Sequence, residues 1–297
     1  MSSAPTVSPP SKGRVFAARL FSTLLLWAVL IVAFYLNSAK IVTAIIALFG
    51  LATSWEYYRL LRRPALTRSF VVLGLSISLA YWGVVGWSVF SGRGAPPAWL
   101  NLAALVAAVH GSFLLCYRHQ LAGMETLQRI FATIFGVIYT VILFGFVVHI
   151  MYAARGGAEA YVYLVLFLVM VTKFCDMGAY AVGVVLGKHK MIPHISPAKS
   201  WEGFFGAFAG GLGGAAIILW AFSDKLGPLT WTHGMLVAPL LCIAGITGDL
   251  AESVLKRCTA IKDSGHALPG IGGILDLTDS LLFTAPVFYF YLLAIQG

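Results

Sequence analysis

The sequence predicts an all-α polytopic membrane protein with about nine transmembrane helices and a cytoplasmic N-terminus. Three observations carry that prediction. Of the 297 residues, 60% are hydrophobic and only 10% are charged, whereas an ordinary soluble domain is ~25% charged. Apolar runs of about 20 residues, the length that crosses a ~30 Å hydrocarbon core, recur along the whole chain. The basic residues are also unevenly shared between the segments that join these runs. A soluble enzyme and a disordered chain are therefore set aside on composition. The net charge of +9 reads as membrane topology, and no nucleic-acid partner is expected.

Taken in order, residues 1–15, opening on the Pro- and Ser-rich MSSAPTVSPPSK, read as a disordered cytoplasmic tail. Nine apolar runs follow, over 16–36, 39–58, 70–91, 98–117, 128–153, 160–187, 203–223, 234–256 and 275–295. The first is long, and no small-residue cleavage site follows it, so it reads as a retained helix rather than a signal peptide. With the N-terminus inside, Lys12, Arg14, Arg19, Arg59, Arg62, Arg63, Arg68, Arg118, Arg129, Lys188, Lys190, Lys199, Lys256, Arg257 and Lys262 fall in cytoplasmic segments. Only Lys40, Arg93, Arg155 and Lys225 fall outside, and Lys173 lies within a run. This asymmetry follows the positive-inside rule. It predicts a multi-pass protein of the cell (inner) membrane. The four cysteines, Cys116, Cys175, Cys242 and Cys258, form no CxxC pair, so neither a disulfide framework nor a thiolate metal site is expected.

The two halves differ. Residues 16–160 read as N-terminal membrane helices and carry three acids, Glu56, Glu125 and Glu159. Residues 161–297 carry the other eight, together with the longest polar loops, 188–202 and 257–274. Chemistry is expected there, as catalytic membrane helices with cytoplasmic loops. An internal repeat of the transporter type is not visible.

The densest constellation is GDLAESVLKRCTAIKDSGHALPGIGGILDLTDS, residues 248–280. On a helix, Asp249, Glu252, Ser253 and Lys256 share one face. Asp276 and Asp279 open the last run as it returns from the cytoplasm. One loop joins the two helix ends, so Asp249 and Asp276 can meet. Clustered carboxylates suit Mg²⁺, a hard cation that takes oxygen ligands and keeps waters or phosphate oxygens. Lys256, Arg257 and Lys262, followed by PGIGG at 269–273, would neutralise and approach a phosphate. The plainer alternative is a set of solvated caps and salt bridges. Against it, ionisable residues at membrane depth are costly and usually functional.

A second constellation spans 173–206. Lys173 and Asp176 stand three apart within a run, where each, unpaired in lipid, would cost roughly 2.5–3.5 kcal/mol. They need a partner or a wet cavity, and a buried structural ion pair is the plain reading. The loop beyond Gly187 offers Lys188, Lys190, Ser196, Lys199 and Ser200. Ser200, Glu202 and Gly203 look like a helix start, whose free N–H groups favour anions. Elsewhere, Gly206, Gly210 and Gly214 form a GxxxGxxxG face for close helix packing, which also permits a homodimer. Glu56, Tyr57 and Arg59 read as interfacial anchoring, and His110 and His149 are isolated from any second metal ligand.

These residues resemble the phosphatidate cytidylyltransferases, also called CDP-diacylglycerol synthases. The family's signature runs S-x-x-K-R, four residues, K-D, P-G-H-G-G, two residues, D-R-x-D. Ser253, Lys256, Arg257, Lys262, Asp263, Pro269, Gly270, Gly272, Gly273, Asp276 and Asp279 match it. DMGAYAVG and SPAKSWEG resemble the family's D-x-x-A-Y and S-P-K-K-T-W-E-G segments. Ile271 stands where the pattern has histidine, Leu277 where it has arginine, Ala198 where it has lysine, and Ser200 where it has threonine.

The resemblance implies transfer of a cytidylyl group from CTP to phosphatidic acid within the bilayer, giving CDP-diacylglycerol and pyrophosphate. It implies Mg²⁺, with K⁺ as a candidate second ion. Asp249 and Asp276 become metal ligands, with Asp279 beside them, and with Lys256 they make the expected catalytic set. Arg257 and Lys262 join Lys256 on the CTP phosphates or pyrophosphate, and Ser253 comes with the matched signature. Ser196, Lys199 and Ser200 are expected to hold nucleotide or lipid phosphate, and Lys173 and Asp176 to line the cavity at the lipid headgroup. Three alternatives stay open. They are a cytidylyltransferase for another lipid phosphate, a catalytically impaired relative acting as a lipid-binding scaffold, and a transporter using Lys173 and Asp176 as a coupling pair.

Overall fold

The computed structural model describes residues 28, 32–62, 66–118, 121–153, 161–259 and 272–296. It is nearly all helical: α1 (Ala39–Leu61), α2 (Arg68–Phe90), α3 (Leu100–Cys116), α4 (Met124–Met151), α5 (Val162–Leu186), α6 (Trp201–Phe222), α7 (Trp231–Cys258) and α8 (Ile274–Ala294). Each coincides with one of the predicted apolar runs. The first run, 16–36, lies mostly outside the described residues, as does the tail; residues 32–35 are helical. Among the described residues, seven helices are long and apolar enough to cross a membrane, and α3, at 17 residues, is shorter. The chain is a multi-pass membrane protein.

The loop predicted over 188–202 is not plain coil. Lys190–Ile192 (β1) and Ser196–Ser200 (β2) form a short antiparallel hairpin. The chain leaves α5 at Gly187 and enters α6 at Ser200, whose Oγ accepts from the Gly203 N–H at 3.2 Å. That is the N-cap anticipated from the sequence. Within α4 a π-helical turn, Ile138–Ile142, buries Tyr139, Thr140 and Val141.

Packing explains two sequence features. A β-carbon at Gly178 of α5 would strike the Gly206 carbonyl of α6, and the Gly210 Cα would lie 3.0 Å away. The GxxxGxxxG face is thus filled by α5 of the same chain, with backbone against backbone. The close helix packing expected of that face is therefore made within the chain. The second feature is the joining of the two halves. One hydrophobic core runs from Ala33 to Leu292, and hydroxyls stitch helices across it. Ser78 Oγ donates to Ser54 Oγ at 2.9 Å, Ser54 meets Thr140 at 2.9 Å, and Thr53 meets Thr278 at 3.0 Å. In an apolar interior such groups must find partners within the protein.

Candidate active site

The ends of α5, α6, α7 and α8 enclose a cavity of about 460 Å³, lined in part by Asp176, Lys199, Ser200, Asp249, Lys256, Asp276 and Asp279. Its volume suits a small-molecule ligand. Helix geometry builds one wall: Asp249, Glu252 and Lys256 lie on one face of α7. Close backbone approach builds the next. A β-carbon at Gly248 would meet the Asp279 carbonyl, with Ser280 Cα at 3.0 Å, so α7 and α8 touch without an intervening side chain where the acids are densest.

The charges are arranged in pairs. Lys199 Nζ reaches Asp249 Oδ2 at 3.0 Å and the Ile246 carbonyl at 3.3 Å. Lys256 Nζ holds Glu252 at 2.7 Å and lies against Asp276. Asp276 also caps α8, its Oδ2 accepting the Gly273 N–H at 2.7 Å. Asp279 is only 5% exposed and takes the Ser280 N–H at 2.6 Å. Lys173 pairs with Asp176 at 3.2 Å and donates to the Leu277 carbonyl at 3.1 Å. An ammonium therefore stands at the level of residue 277, where the resembling pattern has arginine.

Not every candidate reaches the cavity. Lys173 sits behind Asp176, in the ion pair that was the plain reading of those two residues. Ser196 begins β2 and Ser253 is half-buried on α7; neither is among the lining residues. Arg257 turns toward the hairpin, where its Nε donates to the Ile195 carbonyl at 3.2 Å. Lys262 lies outside the described residues, as do Asp263, Pro269, Gly270 and Ile271.

Two acids were given no site role by the sequence reading. Glu252 is 2% exposed, lines the cavity, and its Oε1 is buried without a hydrogen-bond partner. Its i,i+3 spacing from Asp249 placed it on the right face, but only the fold shows the unpaired oxygen. Glu56, read as an interfacial anchor, is in fact buried, and its Oε2 accepts the Leu275 N–H at 2.8 Å. Sequence spacing carries no signal for a bond across 219 positions.

The donors around the cavity suit Mg²⁺. They are oxygen donors, and Glu252 Oε1 lacks a hydrogen-bond partner. Among the described residues no three acidic, histidine or cysteine side chains converge to hold a metal unaided. Mg²⁺ does not require such a cage, because it commonly takes one or two carboxylates with waters and substrate phosphates.

Fold and cavity together define a polytopic membrane protein with a charged cavity of small-molecule size where four helices end. The chain belongs to the Cytidylyltransferase family, whose pattern matches residues 17–295. It is 31% identical over 220 residues to uncharacterized protein YnbB of Escherichia coli K12, covering 71% of this chain and 69% of that protein. It is 38% identical over 159 residues to a phosphatidate cytidylyltransferase of Mycobacterium bovis, covering 54% of this chain and 49% of that one. A Bacillus subtilis phosphatidate cytidylyltransferase is 47% identical over 118 residues, 39% of this chain and 42% of its own length. The matches thus span about half the length of these two enzymes.

Proposed function

We propose that this protein transfers a cytidylyl group from CTP to phosphatidic acid, giving CDP-diacylglycerol and pyrophosphate for phospholipid synthesis. The supporting observation is the cavity in which Lys199 and Lys256 are held on Asp249, Glu252 and Asp276, in a chain of the cytidylyltransferase family. The attacking oxygen of a phosphatidic acid is anionic at neutral pH, so the reaction needs no strong general base. Its difficulty is to bring two polyanions together and to stabilise departing pyrophosphate, a task of positioning and fixed positive charge.

Lys256 and Lys199 are the cations that face the cavity and take phosphate oxygens. The Ser200 hydroxyl, at the start of α6 and in the cavity lining, gives an uncharged contact beside them. Asp249 and Asp276 are the residues that would hold Mg²⁺, with Glu252 and Asp279 beside them. The bound ion would supply charge neutralisation on the phosphates. Lys173 holds Asp176 at the cavity wall. We place the site at the cytoplasmic face of the cell (inner) membrane, where CTP arrives from water while the acyl chains stay in the bilayer; the Lys/Arg asymmetry supports this.

The test is an assay of the purified protein in detergent–lipid micelles with labelled CTP, phosphatidic acid and Mg²⁺. Lipid-linked label that disappears with Asp249→Asn or Asp276→Asn is the expected result. Absence of label both from the unmodified protein and from the variant with Ile271→His and Leu277→Arg would overturn the reading. Label on an ether or isoprenoid phosphate alone would move the activity to another lipid.

A further inference from the structure

The first two turns of α8 carry Asp276 and Asp279, and other helices grip them at successive groups. From α1, the Glu56 carboxylate accepts the Leu275 N–H at 2.8 Å, and Thr53 Oγ1 meets Thr278 Oγ1 at 3.0 Å. From α5, Lys173 Nζ meets the Leu277 carbonyl at 3.1 Å. The first N–H groups of a helix have no partner within it, and in a buried setting each must be satisfied by something else. Glu56 does this for Leu275, the residue just before Asp276. Its negative charge also lies at the positive end of the α8 dipole. A carboxylate that is 6% exposed in a membrane-spanning helix is an expensive cap, and a serine or threonine would serve for mere helix stability.

We infer that Glu56 is a positioning residue for the reaction: the N-terminal half sets, through this bond, where Asp276 and Asp279 stand in the cavity. Glu56 is absent from the cavity lining, so it touches neither substrate and acts through α8. The inference rests on the cytidylyltransferase reading of the site. Displacing a reacting constellation by about 1 Å costs on the order of 10²-fold in rate, and that is the loss assigned to Glu56→Ala.

Three measurements in detergent–lipid micelles decide it. In steady-state kinetics, Glu56→Ala lowers kcat on the order of 10²-fold, with the KM for phosphatidic acid nearly unchanged, since the lipid does not touch this residue. Glu56→Gln keeps an oxygen acceptor and recovers to within roughly tenfold of the unmodified protein. Glu56→Asp keeps the charge, falls a methylene short and stays impaired; it carries the kinetic test if the alanine variant does not fold. In hydrogen–deuterium exchange, the impaired variants expose the amides of 274–279 while α2, α5 and α6 keep their protection. Unchanged kcat in both Glu56→Ala and Glu56→Asp, or loss of protection throughout the protein, would overturn the positioning role. If the unmodified protein makes no product, the functional reading fails. The exchange pattern then decides the placement alone: unaltered exchange at 274–279 would overturn it.

Discussion

Lys256 is the residue on which the acids of the site depend. Its ammonium serves both Glu252 and Asp276, and its removal leaves the buried Glu252 and the half-buried Asp276 facing one another. Breaking a fully buried pair from one side costs about 3–5 kcal/mol, and this half-buried arrangement costs less. Lys256→Met is expected to lose activity and to lower the unfolding midpoint measured in detergent, while Lys256→Met with Glu252→Gln regains part of the stability but no activity. Asp249 behaves differently, since its side chain is 41% exposed. Asp249→Asn should lower kcat by on the order of 10²-fold or more with an unchanged melting midpoint, a split that separates a chemical role from a structural one. At this scale the sequence was informative where charge recurs at helical spacing, as in Asp249 to Lys256 or Asp276 to Asp279. It was silent where a side chain answers a backbone group. Glu56 looks like an anchor because Tyr57 and Arg59 stand beside it, yet its partner is an amide near the other end of the chain. Arg257 matched a phosphate-binding signature, yet it holds the carbonyl of a hairpin residue.

The eight helices among the described residues were legible almost to their ends, because a span must be apolar over its whole crossing, and each differs from its predicted run by about four residues at most. The hairpin was not. Its strands are three and five residues long, and Pro197 lies inside the second, so neither shows the alternation that marks a half-buried strand. The close approach of α7 to α8 was equally hidden, since a glycine in a span can mean packing or nothing. The contrast between two glycines makes this testable. Gly248→Ala would press a methyl onto the Asp279 carbonyl and Ser280 Cα and is expected to cost both activity and several degrees of melting temperature. Gly213→Ala, on α6 with nothing within 4 Å, should be neutral or slightly stabilising, because alanine favours the helix by up to about 1 kcal/mol.

For the whole molecule, orientation is the property the sequence argues most directly and the coordinates least, because Lys/Arg asymmetry is a statement about a membrane. Cys258 provides a handle. It is exposed at the end of α7, next to the basic stretch assigned to the cytoplasm. In a Cys116→Ser background, a membrane-impermeant maleimide should label Cys258 in inside-out vesicles and leave it untouched in right-side-out ones; the opposite pattern would invert the topology. The length of α7 fits that placement. Its 28 residues span about 42 Å, more than the ~30 Å hydrocarbon core, so a turn or two can project into the headgroup region.

The glycine seat of α5 on α6 also governs how the protein can move. Two helices in backbone contact have no intervening side chains whose rotamers could absorb a slide, so they travel as one plate, taking Asp176, Lys199 and Ser200 with them. The Gly248 contact makes α7 and α8 a second plate that carries Asp249, Glu252, Lys256, Asp276 and Asp279. The cavity lies along the seam between these two units, which is crossed by the Lys199–Asp249 pair, by Lys173 on the Leu277 carbonyl and by Thr172 on Thr284.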